Sequence, residues 1–335
     1  MHARALAVAA SRVRVLLRSD GSRDIGLGHV GRTLALAEEL GRRLGVVPVL
    51  LAHPDPLLKR FLDGRPVRLR YVDGDGYALS DVVAAASRGD VLVTDTYALD
   101  EEVLDAVHGL QIRHLVVDDF SRFSTWHCDV VVNPNVGASP LPYGDAGRVL
   151  VGPKYALIRN EIRRAAAARN PRSDAERLLV CLGGGSWGRA AEALLVELAG
   201  LAAVGIAVRA TTEEPVPAGI EAVSPWSLPQ QLAWADAAIV SAGVVKYEGA
   251  VAGVPMLVVA TVEHQRQVAQ SFAATGAACY AGVLSELNPP ALAEQASRLL
   301  ADSVERDRLA SSASSLIDGL GAQRAVDALL SYEAD

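Results

Sequence analysis

The sequence predicts an α/β chain of two successive halves, each a parallel sheet with helices on its faces. Three observations carry this. Short apolar runs alternate with longer helical stretches along the whole chain, the signature of βαβ units. Several runs, such as Val91-Leu92-Val93, are apolar at every position and not only at alternate ones, so both faces of the sheet are covered. The pattern also breaks and restarts near the middle, and 335 residues suffice for two cores.

In the first half the strand candidates are 13–18, 46–51, 67–72, 90–94, 112–117 and 129–133. Helices are expected near 29–44, 55–63, 77–88 and 99–108. Residues 134–147, rich in Pro, Gly, Ser and Asn, interrupt the alternation. A short strand at 149–151 and a basic helix over 156–168 follow. The polar stretch Arg169 to Asp174, with Pro171 inside it, reads as a linker. The pattern resumes with strands at 177–182, 205–210, 220–224, 237–241, 256–260 and 277–280. Helices are expected near 187–203, 227–235, 243–252, 263–276, 289–301 and 304–331. The expected domains are therefore 1–168 and 176–335, the last helix being a candidate to pack back on the first. Residues 1–11 read as an extension ahead of the first strand, because the apolar stretch Ala5 to Ala10 is too short for a signal-peptide core.

Composition excludes several function classes. A net charge of −7 argues against a nucleic-acid partner, which needs a basic stripe to neutralise phosphates. No apolar run reaches the roughly 18 residues of a membrane span. The three cysteines, Cys128, Cys181 and Cys279, form no CxxC pair, and their sparse, odd number fits a reducing cytoplasm. No His, Cys, Asp or Glu set has metal-ligand spacing, so neither metal nor cofactor is expected.

Four turns carry chemistry. The first runs from Arg18-Ser19-Asp20 to Gly26-Leu27-Gly28-His29-Val30-Gly31-Arg32, after the first strand and into the first helix. Its glycines 26, 28 and 31 spell GxGxxG, but a dinucleotide site also needs an acidic residue at the end of the second strand, where Ala52 and His53 stand. What remains is a cluster of Asp20, His29 and Arg32 at the strand edge where open α/β sheets bind ligands. The second, Gly183-Gly184-Gly185-Ser186-Trp187-Gly188-Arg189-Ala190, approaches a P-loop, yet Arg189 replaces the lysine and Ala190 the magnesium-binding hydroxyl. A backbone cradle for phosphate survives. The third, Gly243-Val244-Val245-Lys246-Tyr247-Glu248, brings one of only three lysines and a carboxylate to a helix start. A lysine there can reach phosphate and a glutamate can accept bonds from a ribose. The fourth is His264-Gln265, after the strand at 256–260. Asp95 and Tyr97, Asp118-Asp119, and Asn135 sit at further strand ends and are site candidates by position.

In this order the motifs resemble the UDP-2,4-diacetamido-2,4,6-trideoxy-β-L-altropyranose hydrolases of pseudaminic acid biosynthesis, themselves similar to GT-B glycosyltransferases of the MurG type. The resemblance covers about residues 13 to 285. Arg18 to Arg32 looks like the amino-terminal signature with its catalytic histidine, and Asp95-Thr96-Tyr97 like the Asp-x-Tyr segment of the sugar site. Leu150-Val151-Gly152-Pro153-Lys154-Tyr155-Ala156-Leu157-Ile158-Arg159 looks like the GPxYALLRxEF stretch. His264-Gln265 stands where that family has an Asn-Gln pair.

The resemblance implies a GT-B-like architecture, two Rossmann-like parallel-sheet domains facing across a cleft. It implies a UDP-sugar substrate, hydrolysed by water with His29 as base and Asp20 or Asp95 orienting it. Gly28, Arg32, Asp95, Tyr97, Asn135 and Tyr155 would line the sugar pocket. Gly183, Gly184, Gly185, Gly243, Val244, Lys246, Glu248, His264 and Gln265 would hold the nucleotide. A GT-B glycosyltransferase acting on an acceptor hydroxyl, or a non-enzymatic nucleotide-sugar sensor, are the alternatives. The sensor has no need of His29.

Overall fold

The computed structural model describes residues 13–333, apart from 75, 139–140 and 184–186. Seven strands form the first sheet: β1 (Val15–Ser19), β2 (Val49–Ala52), β3 (Arg68–Tyr71), β4 (Val91–Asp95), β5 (Arg113–Val117), β6 (Val130–Asn133) and β7 (Arg148–Val151), in the order β3-β2-β1-β4-β5-β6-β7. Six form the second: β8 (Arg177–Cys181), β9 (Ala207–Thr211), β10 (Ile220–Val223), β11 (Ala237–Ser241), β12 (Met256–Ala260) and β13 (Cys279–Val283), in the order β10-β9-β8-β11-β12-β13. All pairings are parallel. In each sheet the strand order reverses beside the first strand of that half, which opens a crevice at the carboxyl ends of the strands. The fully apolar runs occupy the sheet centres: β4, β6, β11 and β12 are buried along their whole length.

The first sheet carries α1 (Gly28–Leu44), α2 (Pro56–Leu62), α3 (Leu79–Ala85) and α4 (Glu101–His108). α1 buries Val30, Leu34, Ala37 and Leu40, spaced at three and four residues along one face, and stops at Gly45, whose φ of 66° suits glycine. Around the crossover the chain forms α5 (Asn160–Ala167). The second half adds α6 (Gly188–Ala199), α7 (Leu228–Trp234), α8 (Val245–Val251), α9 (Arg266–Ala274), α10 (Pro289–Ala301), α11 (Ser303–Leu316) and α12 (Gly321–Leu330).

The expected helix over 156–168 is shorter, because a 3-10 turn at Pro153–Tyr155 and an extended Arg159 precede it. α5 buries Ile162 among second-half residues such as Leu232 and Val240. The single helix expected over 304–331 is two. Gly319 at φ 73° breaks it, and the Asp318 carboxylate accepts the Leu320 amide at 2.9 Å. This break turns α12 back onto the first half, where Ala322, Ala325, Val326 and Leu329 join the core built on α1 and β1. Among the described residues no helix is long and apolar enough to cross a membrane.

Candidate active site

His29 is the second residue of α1 and Arg32 lies one turn further, so both side chains project from the same helix face. β1 and β4 run in register with Ser19 beside Asp95, which puts the Asp95 carboxylate directly under that face. The result is a buried ion cluster. His29 Nδ1 lies 2.6 Å from Asp95 Oδ1. Arg32 donates to Asp95 Oδ2 from Nε at 2.9 Å and to Oδ1 from Nη2 at 2.8 Å. The same guanidinium reaches Asp119, after β5, at 2.8 and 3.1 Å. Burial alone would raise the Asp119 carboxyl, but the Arg32 charge and its hydrogen bonds outweigh it and hold Asp119 at about 2. Asn135, after β6, donates to Asp119 Oδ1 at 3.0 Å. The Tyr97 ring stands edge-on to the imidazole, centroids 4.5 Å apart, and covers it from the solvent side. Burial and the Asp119 charge keep its phenol above the usual range, so Tyr97 is a hydroxyl donor and not a phenolate. His29 Nε2 makes no hydrogen bond among the described residues.

Asp20 does not take part. Its carboxylate pairs with Arg18 at 2.6 Å and accepts the His53 amide at 2.9 Å, so Asp95 alone of the two candidates orients His29. The cause is direction. Asp20 follows the end of β1 and turns toward β2, where His53 lies, whereas Asp95 is the last residue of β4 and faces α1.

Opposite this cluster lies the second domain. A cavity of about 720 Å³ runs between the two halves, within the range of small-molecule sites. Gly28 lines it, and a Cβ there would lie 3.3 Å from Val244 Cγ2, so the glycine turns of the two domains meet at that point. Gly183, Gly243, Val244, Glu248, His264 and Gln265 line the far side. Gly184 and Gly185 fall outside the described residues. Glu248 is 5% exposed and gives only Oε1 to Arg159, at 2.8 and 3.2 Å. Its Oε2 makes no hydrogen bond among the described residues. Gln265 spends its carbonyl oxygen on Thr261, at 3.0 and 3.1 Å, and among the described residues makes no bond through its amide nitrogen.

Two expected ligands are placed elsewhere. Lys246 is 2% exposed, and its Nζ donates to the Ala242 and Gly243 carbonyls at 2.7 and 3.1 Å. It ties down the turn before α8 from behind and is not part of the cavity wall, because α8 presents it to the protein interior. Tyr155 packs against α12: a Cβ on Gly321 would lie 2.4 Å from its carbonyl carbon. It serves the crossover and not the cleft.

Sequence reasoning missed Arg159, which lines the cavity and holds Glu248, although Arg159 closes the Leu150–Arg159 stretch already singled out. It also missed Phe61 and Trp226, whose rings meet from opposite domains at 5.8 Å and close one end of the cavity. The Ser224-Pro225-Trp226 turn was the available signal. Asp118 and Asp119 do not form a free carboxylate pair. Asp118 accepts the Phe120 and Ser121 amides and the Tyr143 hydroxyl. Among the described residues no three His, Cys, Asp or Glu side chains gather in a way that could hold a metal ion.

No known family model matches the chain. It is 27% identical over 330 residues to the spore coat polysaccharide biosynthesis protein SpsG of Bacillus subtilis, spanning 90% of this chain and 94% of that protein. It is 29% identical over 180 residues, 51% of this chain, to the UDP-2,4-diacetamido-2,4,6-trideoxy-β-L-altropyranose hydrolase of Campylobacter jejuni. That match spans 61% of the Campylobacter protein, and a match to an uncharacterized protein of Methanocaldococcus jannaschii spans 37% of that one. Among solved structures, MurG of Acinetobacter baumannii superposes with a TM-score of 0.64 at 17% identity, over 95% of this chain and all of that one. Two parallel-sheet Rossmann-like domains of seven and six strands, set across a cleft, make this a chain of the GT-B fold.

Proposed function

We propose that this chain hydrolyses a UDP-sugar, releasing UDP and a free, diacetamido-type sugar. The observation that carries the reading is His29, fixed by Asp95 through Nδ1 with Nε2 left without a partner among the described residues, directly behind Gly28, Gly31 and Tyr97, which line a cleft whose far wall offers Glu248 and two glycine turns. The name of the Campylobacter relative supports it.

In this reading Glu248 Oε2 accepts from a ribose hydroxyl. The Gly183 and Gly243 turns let the backbone approach a diphosphate, and α6, starting beside Gly183 and Trp187, adds the positive end of its dipole. His29 Nε2 takes a proton from water as the water oxygen bonds to the anomeric carbon. The bond from that carbon to the diphosphate oxygen breaks, and its electron pair leaves with UDP. Asp95 stabilises the imidazolium that forms, and the paired hydrogen bonds from Arg32 hold the Asp95 carboxylate in place. No divalent ion enters these steps, and turnover is expected to survive EDTA. Loss of activity in EDTA, restored by Mg²⁺ or Mn²⁺, would show a metal-dependent route.

The test is turnover of a panel of UDP-sugars in H₂¹⁸O. Label is expected in the free sugar. Label in UDP would mean attack at phosphorus, and UDP release only on adding an acceptor would mean a glycosyltransferase. His29→Asn is expected to lower kcat by roughly two to four orders of magnitude with KM nearly unchanged.

A further inference from the structure

The two walls of the cleft are joined by a line of hydrogen bonds whose far links, from Tyr247 to Asn135 and from Asn135 to Asp119, the proposed chemistry does not use. Tyr247 sits in α8, directly before Glu248. Its hydroxyl donates to Asn135 Oδ1 at 2.8 Å, crossing from the second domain to the loop after β6 in the first. Asn135 Nδ2 donates to Asp119 at 3.0 Å, Asp119 accepts from Arg32, Arg32 holds Asp95, and Asp95 holds His29. Tyr247, Arg32 and Asp95 are all buried.

The donor and acceptor capacities fix the direction of each link. A carboxylate only accepts and a guanidinium only donates. Asn135 must therefore turn its NH₂ toward Asp119, which leaves its oxygen for the Tyr247 hydroxyl. With that hydroxyl removed, the amide loses one of its two anchors. Once it rotates, Asp119 is short of a donor and draws Arg32 away from Asp95.

We infer that Tyr247 is a positioning residue through which the nucleotide-holding helix sets the geometry of His29 and Asp95 in the opposite domain. The inference rests on the nucleotide reading above. A nucleotide on Glu248 steadies α8, α8 steadies the Tyr247 hydroxyl, and the cluster around Arg32, already formed, is held more rigidly when the substrate's nucleotide end is seated.

Tyr247→Phe keeps the ring packed on Phe272, with centroids 5.7 Å apart, and so keeps the fold. Its kcat is expected to fall about tenfold, as for loss of one well-placed hydrogen bond, with KM and the Kd for UDP within about twofold of wild type. Tyr247→Phe combined with Asn135→Ala is expected to be no worse than Asn135→Ala alone, as for residues acting in one line. Hydrogen exchange gives a readout independent of turnover. In the wild type, UDP should slow exchange at residues 28–36 and 133–138. In Tyr247→Phe that slowing should vanish while UDP still binds. Equal protection in both proteins, or fully additive losses in the double variant, overturns the coupling. Protection confined to the second domain of the wild type overturns it while leaving nucleotide binding intact. Absence of UDP binding to the wild type removes the nucleotide reading and the coupling with it.

Discussion

His114 stands in β5 at the centre of the first sheet, 2% exposed, with Nε2 on the Thr94 hydroxyl at 2.9 Å. Burial pushes its imidazole down to about 3. The folded chain therefore keeps it neutral where the unfolded chain protonates it, below about pH 6.5. Protons favour the unfolded state across that window. Stability should fall by up to about 1.4 kcal/mol per pH unit from 6.5 toward 3. Asp119, held at about 2, works the same way only below the ordinary carboxylate range. Urea unfolding between pH 7 and 5 should show the early loss in the wild type and not in His114→Asn, and an unchanged slope in that variant would place the titration elsewhere. Lys246 offers a second prediction. Burial pushes its amine down to about 7, and among the described residues it bonds only backbone carbonyls. Lys246→Met should alter the Kd for UDP less than about twofold, whereas Glu248→Ala should raise it at least tenfold, as for loss of a hydrogen bond to a charged group. Calorimetry decides between them. Residues at strand ends and helix starts, such as His29, Arg32 and Asp95, were legible in the sequence because position alone puts them at the sheet edge. Asp20 and Lys246 share that placement, but which way they face depends on neighbours the sequence does not order: His53 for one, the turn carbonyls for the other.

At the level of elements, strands were legible wherever they are wholly apolar, because only a doubly covered strand tolerates that composition. Helix ends were less so. The break between α11 and α12 was hidden because Ile317 and Leu320 continue an apolar rhythm around Gly319, and only the fold shows the two helices burying their faces in different domains. The seam of α12 is tight. A Cβ on Gly321 would lie 2.3 Å from the Ala156 carbonyl oxygen, a backbone atom with no rotamer to yield. Gly321→Ala should cost about 1–3 kcal/mol, as overpacking does, read as a drop in Tm. A variant as stable as wild type would show that α12 sits loosely.

For the whole molecule, the sequence announced two α/β halves but not their dependence on each other. The chain leaves the first domain near Arg159, completes the second, and returns with α12, so two segments cross between the domains. A chain ending at Asp318 should keep a protease-resistant second half, whose core includes Ile317, and lose resistance in the first, whose core then lacks Ala322, Ala325, Val326 and Leu329. Resistance in both halves would show that α12 is dispensable. The return also sets a schedule for biosynthesis. The domain translated first cannot close its core until α12 emerges from the ribosome. At roughly 5–20 residues per second that wait is on the order of ten seconds or more. For that time the earlier half must persist with an open apolar seam along α1, while the later half, needing nothing still untranslated beyond Ile317, can finish ahead of it.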